Sequence, residues 1–246
     1  MADVFNELDI FYGASHQINE NLVINHPTVG EVKSFGEEQY YNAISIFFST
    51  PSDYKVQLFD IGKDYTQIDE FEMFCMLYGS LREEDIKFLF KGSKDFCLNK
   101  FIPIMNNDNQ IVLWSDESDI FIDRLNYIII SSFIKKINFI EKKNHKAGNE
   151  HSKEYFIERE RRRQKHAQTK PFKSILLPTI STLVNDNGFK YDHKTVLDLP
   201  IYTFYDSVRE IQRSKNVGHI FNGMYAGTID SKNISHKDLS IIRNAD

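Results

Sequence analysis

Aromatic side chains limit the fold of this chain more than any other feature. The 246 residues include 20 Phe and 12 Tyr, but only 11 Gly and 6 Pro. Many of the aromatic residues recur at intervals of three or four, which places them on one face of an α-helix. Because 41% of the residues are hydrophobic, the chain can also fill a packed core. The pattern therefore predicts a helix-rich protein with aromatic packing faces.

The predicted fold is α+β and mainly α: a helical bundle with two small β elements. Residues 17–24 place apolar arms around polar turn residues, which predicts a short N-terminal β-hairpin. Four β-rich runs between 86 and 114 surround Asn106–Asn109, whose residues tolerate positive φ, and they predict a small antiparallel sheet. From 118 to 137 the apolar residues return to helical spacing. This stretch should be the central buried helix.

Short local signals predict where several helices begin and end. Thr28 and Glu31 have the spacing of a capping box, in which each side chain accepts a hydrogen bond from the other's backbone N–H. Thr66 should open a helix that has acidic residues in its first turn, where the helix dipole favours them. Gly62 should end the helix before it. Pro200 stands where proline is favoured, near the first position of a helix.

Charge is distributed unevenly along the chain. Residues 1–90 have 16 acidic and 5 basic side chains, a net of −11, whereas residues 135–173 have 13 basic and 5 acidic, a net of +8. The overall net charge of −5 excludes a uniformly basic nucleic-acid binder but allows a local basic patch. We predict an acidic N-terminal domain with the sheet and the central helix at 1–140, a charged helical arm or linker at 141–171, and a helical C-terminal region at 172–246.

The motifs of common enzymes and metal proteins are absent from the sequence. The eight histidines are scattered without metal-ligand spacing. Cys75 and Cys97 are read as small buried hydrophobic residues. Gly218, Gly223 and Gly227 lack the lysine and the preceding strand of a phosphate-binding loop. The sequence therefore predicts no enzyme, no cofactor and no metal site.

The candidate partner-binding residues are a basic run and two aromatic stripes. The cations could neutralise phosphates, meet the acidic third of another subunit, or form a solvated helix face. Successive residues rotate by about 100°, so the three consecutive arginines cannot share one face. The aromatic residues could form core or a groove for a partner helix. The candidates are Arg159, Arg161, Arg162, Arg163, Lys165, Phe71, Phe74, Tyr78, Phe204 and Tyr205.

A family resemblance extends over residues 15–235. It rests on several segments that follow one another along the chain: Ile18–Pro27, Thr28-Val29-Gly30-Glu31, Thr50–Lys55, Asp64–Thr66, Phe71–Phe74, Ala147–Glu150, Arg159–Arg163, Leu176–Pro178, Asn187–Tyr191 and Val196–Val208. Together they resemble structural-module proteins of tailed bacteriophages and prophages, above all the tail assembly chaperones. The basic arm and the chain length depart from those chaperones, which leaves a neck or tail-completion component open.

The resemblance implies a non-catalytic chaperone that binds the tail-length (tape-measure) protein and helps recruit tail-tube subunits. A nucleic-acid-associated protein that uses the basic arm is the alternative from another class. Opposite charges at the two regions would also let copies stack head to tail. The N-terminus lacks the features of a secretory signal, and no apolar run is long enough for a membrane helix. The expected location is the host bacterial cytoplasm, or the virion if the protein is structural.

Overall fold

Helices and two small antiparallel sheets form the fold, which confirms the predicted class. The computed structural model describes residues 5–82, 86–93, 96–141, 149–167, 171–230, 232 and 234–242. Within them the α-helices are α1 Glu7–Phe11, α2 Val29–Phe35, α3 Glu37–Ser45, α4 Lys55–Asp60, α5 Glu70–Leu77, α6 Arg124–Ile137, α7 Glu150–Ala167, α8 Leu176–Val184 and α9 Ile201–Tyr225. Short 3-10 turns occur at Pro51–Tyr54, Tyr78–Ser80, Leu98–Lys100, Thr195–Asp198 and His236–Leu239.

The predicted N-terminal hairpin is confirmed, and the predicted sheet is confirmed in part. Strands β1 (His16–Asn19) and β2 (Leu22–Ile24) pair antiparallel. The second sheet has the order β3-β4-β5, with β3 at Ile102–Met105, β4 at Ile111–Ser115 and β5 at Ile120–Ile122. Its first turn includes Asn109, which adopts φ 62°.

The secondary-structure prediction is wrong at two stretches between residues 86 and 123. The apolar runs at 86–90 and 96–98 do not form strands: Ile86 is helical and is followed by a turn, and residues 96–97 are irregular and lead into a 3-10 turn. The helix predicted from 118 begins only at Arg124, after β5, and the side chain of Asp123 accepts a hydrogen bond from the N–H of Asn126 to cap it. Apolar runs of three to five residues fit both helical and strand spacing, so periodicity alone could not separate them.

Side-chain caps set the starts of α2 and α5, one as predicted and one not. Both hydrogen bonds of the box between Thr28 and Glu31 are present at the start of α2. The helix predicted to open at Thr66 begins instead at Glu70, because Asp69 and Glu72 form a second capping box there.

The central helix α6 lies in the middle of the main core, as predicted. Its residues Ile130, Phe133, Ile134 and Ile137 are fully buried. It contacts β1, β5, α5 and α9. Burying four large side chains of one helix contributes on the order of 6–12 kcal/mol before chain entropy is subtracted.

The N-terminal third and the last third of the described chain are joined by hydrogen bonds. Thr28 and Pro200 form an isolated β-bridge. The carboxylate of Glu37 accepts hydrogen bonds from the backbone N–H groups of Ile175 at 2.6 Å and Leu176 at 2.9 Å, at the start of α8. Residues from both thirds also share the main core. The three-part division of the chain stays a prediction.

A second, smaller apolar cluster lies under α7. Val56, Leu58, Tyr65 and Met73 are buried there together with Ile157. The basic arm predicted at 141–171 is thus helical between Glu150 and Ala167 and packs on α4. Residues 142–148 and 168–170 lie outside the described residues.

Candidate protein-binding surfaces

One face of the three-stranded sheet is apolar and exposed. Ile102, Trp114 and Phe121 stand opposite one another across β3, β4 and β5, so their side chains lie on the same face. Ile104, two residues beyond Ile102, extends the row. Ile102 is 57% exposed and Phe121 is 42% exposed. We call these four residues the outer sheet face.

Carboxylates lie at both ends of the outer sheet face. Asp108 is exposed in the turn between β3 and β4. Asp116, Glu117 and Asp119 are exposed in the turn between β4 and β5. Lys100 neutralises one of them, because its ammonium group forms an ion pair with Glu117. The rim remains acidic, which favours partners that bring cations together with apolar side chains.

The inner face of α7 holds the helix against the body of the protein. Ile157 is 5% exposed and inserts into the smaller apolar cluster. The Nζ atom of Lys153 lies 2.6 Å from Oδ2 of Asp64, and the guanidinium of Arg161 forms an ion pair with Asp60. The hydrogen bond from Lys153 is the largest cause that lowers the pKa of Asp64 to about 2. Four-residue spacing puts Lys153, Ile157 and Arg161 on one side of the helix.

The outward face of α7 is cationic and aromatic. Tyr155, Arg159, Arg162 and His166 are exposed, and spacings of four, three and four align them opposite Ile157. Within the described residues, the guanidinium groups of Arg159 and Arg162 form no ion pair. These four residues are the outward face of α7.

The three consecutive arginines point in different directions, as helical geometry requires. Arg161 turns inward to Asp60, whereas Arg162 turns outward. The Nε atom of Arg163 lies 3.3 Å from Oε1 of Glu160. Lys165 is exposed. Of the five cations singled out from the sequence, Arg159, Arg162, Arg163 and Lys165 thus face solvent, and Arg161 helps to hold α7 in place.

The aromatic candidates lie in or beside the core. Phe74 and Phe204 are fully buried, and Phe71 is 3% exposed. Tyr78 and Tyr205 are half-buried and pack against the same core. The core interpretation therefore fits the three phenylalanines, which offer a partner no surface. Sequence reasoning instead missed the outer sheet face. The one signal of this face in the sequence was the apolar run Ile102–Met105 beside an Asn-rich turn. That run does not indicate which face of the strand packs on the core and which faces solvent.

The described residues contain no group of three or more His, Cys, Asp or Glu side chains that could hold a metal ion. Burial raises the pKa of the Cys75 thiol to about 12, so this sulfur stays protonated at neutral pH and is a poor nucleophile. Cys97 is buried. No helix in the described part of the chain is both long and apolar enough to span a membrane.

The fold and these surfaces define an α+β, mainly helical protein whose exposed features suit contact with other macromolecules. A comparison with family models finds a match to the family described as YomV second domain over residues 170–240. This stretch contains α8 and α9 and is less than a third of the chain. The family is phage-derived and prophage-like, and the match points to a phage protein. No curated protein and no solved structure matches the chain.

Proposed function

We propose that the protein is a non-catalytic phage tail assembly chaperone that binds the tail-length (tape-measure) protein and helps recruit tail-tube subunits. The observation that carries the proposal is the outer sheet face. Ile102, Trp114 and Phe121 form an ordered apolar row across three strands, and two of them are more than 40% exposed. Contiguous exposed apolar surface of this kind marks sites that bind other proteins.

The face of the sheet suits this task better than the edge formed by β3. β3 and β5 are the two edge strands of the β3-β4-β5 sheet, and β3 contains Pro103. Proline has no N–H to donate, so it blunts the pairing of a further strand at this edge. A partner that binds the face can be helical, as a tail-length protein would be. The acidic rim then selects apolar segments flanked by Lys or Arg.

Co-expression tests the chaperone proposal. The chain should keep the tail-length protein of the same phage soluble in the host bacterial cytoplasm. Replacing Ile102 and Phe121 by Ser should abolish this effect, because it removes the exposed apolar row. The matched control replaces Leu125 and Ile128 by Ser, which are 69% and 47% exposed on α6, and should keep the effect.

Two results would contradict the chaperone proposal. In one, the tail-length protein precipitates equally with and without this chain. In the other, the two double variants give the same soluble fraction. Mass spectrometry of purified particles distinguishes the chaperone from the alternative role, a neck or tail-completion component. That component stays in the particle, whereas a chaperone leaves it.

A second candidate function is nucleic-acid binding by the outward face of α7. The specific observation is that Arg159 and Arg162 lie beside exposed Tyr155, an arrangement that can neutralise phosphates and stack on bases. Binding should then weaken steeply as salt rises, and Arg159→Ala with Arg162→Ala should abolish it. Lys190→Ala with Lys194→Ala removes the same charge elsewhere and should leave binding intact. A complex that ignores both salt and the arginine pair rules this function out.

The outward face of α7 also supports a proposal of self-association. Its charge is opposite to that of the acidic rim around the outer sheet face, so one copy could contact the next head to tail. Such a contact does not close on itself and forms open assemblies. Analytical ultracentrifugation should show association that depends on protein concentration and weakens as salt rises. A monomer at all concentrations in low salt contradicts it.

A further inference from the structure

Helix α7 is held to the rest of the protein by one buried apolar side chain and by ion pairs around it. It has 18 residues, yet Ile157 is its one buried apolar side chain among those that the structure describes. Ion pairs to Asp64 and Asp60 stand four residues to either side of it, from Lys153 and Arg161. Glu160 adds an ion pair of the opposite sense, with its Oε2 atom 3.7 Å from Nζ of Lys55 on α4. Partly exposed ion pairs stabilise a contact only weakly. A helix held this way can be displaced.

The site under α7 is larger than the part that α7 fills. A cavity of about 260 Å³ adjoins Ile157, and its lining includes Phe59, Tyr65 and Glu154. Phe59 is 53% exposed although it stands next to the smaller apolar cluster. α7 lines this cavity with Lys153, Glu154 and Ile157, and the carboxylate side chain of Glu154 lies one turn before Ile157. An apolar side chain at that helix position would fill space that now adjoins a charged group.

We infer that the protein has a helix-binding groove, and that α7 occupies this groove until a partner helix replaces it. The groove is formed by the Pro51–Tyr54 turn, by α4 and by the segment from the end of α4 to Met73. The occupant is a cationic amphipathic helix. It has two apolar residues three positions apart, and a Lys or Arg four positions before and after the second of them. The identification of this helix as part of the tail-length protein rests on the proposed function; the groove itself does not.

Charge and shape specify this occupant together. Asp60 and Asp64 are the acidic groups that α7 itself contacts in the groove, so an arriving helix needs cations at the same spacing. Lys55 of the groove meets Glu160 of α7, so the arriving helix also needs a carboxylate three positions after its second apolar residue. Its second apolar residue would take the place of Ile157, and its first would enter the cavity beside Phe59. A partner with both apolar residues therefore gains contacts that α7 cannot make.

Displacement is a competition between a free helix and a tethered one. A tethered segment behaves as if it were present at about millimolar concentration. A free helix with the same contacts as α7 therefore binds the wild-type chain poorly. A mutation that weakens the docking of α7 raises the fraction of molecules whose groove is open. The affinity of the free helix should rise in proportion to that fraction, by at least ten-fold.

A synthetic peptide with the sequence of residues 149–167 tests the groove without any phage partner. Fluorescence anisotropy should show that the labelled peptide binds the full-length Ile157→Asp chain at least ten-fold more tightly than the wild-type chain. The peptide that carries Ile157→Asp itself should bind neither. If the parent peptide binds both chains equally, or neither, the groove is not a helix-binding site.

A second full-length variant keeps the test valid if Ile157→Asp disturbs folding. Lys153→Glu with Arg161→Glu reverses the charges that meet Asp64 and Asp60 and leaves the apolar cluster intact. It should open the groove to the parent peptide as well. Circular dichroism should show that both chains keep their cooperative unfolding. A folded double variant that binds the peptide no better than the wild type overturns the inference.

The cavity gives a separate test of the partner's chemistry. A peptide with Glu154→Leu should bind the opened chain about ten-fold more tightly than the parent peptide, because leucine fills the space next to Phe59. The matched control is Glu158→Leu, the same substitution at a position 57% exposed and outside the cavity lining. Equal affinities for the two leucine peptides would refute the two-residue apolar pattern. If the peptides bind as expected here but the co-expression test fails, the helix-binding groove is supported, and the tail-length protein is rejected as its partner.

Discussion

The carboxylate of Glu37 should couple the N-terminal region to the last third of the chain. It lies at the start of α3 and accepts hydrogen bonds from Ile175 and Leu176, whose N–H groups begin α8. The hydroxyl of Ser174 donates to its other oxygen. Glu37→Gln keeps the size of the side chain, but it removes the charge and turns an amide NH₂ group toward a donor.

The expected cost of Glu37→Gln follows from these hydrogen bonds. Loss of a helix N-terminal cap costs about 0.5–2 kcal/mol, and loss of the negative charge at the positive end of the helix dipole adds about 0.3–1 kcal/mol. We expect about 2 kcal/mol in the free energy of unfolding. With a urea dependence of roughly 3 kcal/mol per molar for a chain of this size, the unfolding midpoint should fall by about 0.7 M.

Two optical probes make the assay specific. Trp114, the single tryptophan, reports on the β3-β4-β5 sheet, and far-ultraviolet circular dichroism reports on the helices. If the two regions unfold as one unit, both midpoints shift together. The matched control is Glu38→Gln, an exposed neighbour that should leave both midpoints unchanged. Equal midpoints for the two variants refute the coupling, and a shift seen by circular dichroism alone supports separate domains.

Three further predictions concern the core and the turns. Phe74→Ala should lower stability by about 4 kcal/mol because its ring is fully buried, whereas Phe121→Ala on the outer sheet face should cost less than about 1 kcal/mol; thermal unfolding measures both. Burial lowers the pKa of His26 to about 4, so the unfolded chain binds the proton first, and stability should fall by about 2 kcal/mol from pH 7 to pH 5. The His26→Leu variant should lose most of that fall, and an unchanged pH profile would contradict it. Both Gly13 and Gly62 adopt positive φ, but an added Cβ meets a side-chain carbon 2.6 Å away only at Gly13; Gly13→Ala should therefore be more destabilising by at least about 1 kcal/mol in urea unfolding.

Features that depend on residues close in sequence could be predicted. The capping box of Thr28 and Glu31 spans four positions, and its two hydrogen bonds form wherever the helix goes. The same holds for the hairpin turn that contains Asn109. Residues 86–90 are different, because a run of five residues with four apolar ones fits a strand or a buried turn equally well. There the surrounding core decided the structure.

The outer sheet face could not be predicted because both faces of its strands are apolar. In a half-buried strand, alternation of polar and apolar residues tells which side meets solvent. β4 reads Ile-Val-Leu-Trp-Ser and β5 reads Ile-Phe-Ile, so alternation gives no answer. Only the packing of Leu113 and Ile122 into the core shows that Trp114 and Phe121 face outward. Both faces of this sheet are apolar, but the core of the protein covers only one of them. We therefore expect a partner to bind the uncovered face.

The basic arm shows how a correct charge pattern can still leave its role undecided. From the sequence, the net charges of −11 and +8 suggested contacts between copies of the chain. The structure uses part of that complementarity within one chain, since Lys153 and Arg161 of the basic segment meet Asp64 and Asp60 of the acidic one. Displacing α7 would expose both carboxylates and release both cations. A partner that enters the groove must therefore replace those cations with its own, which is why a neutral amphipathic helix should bind poorly there.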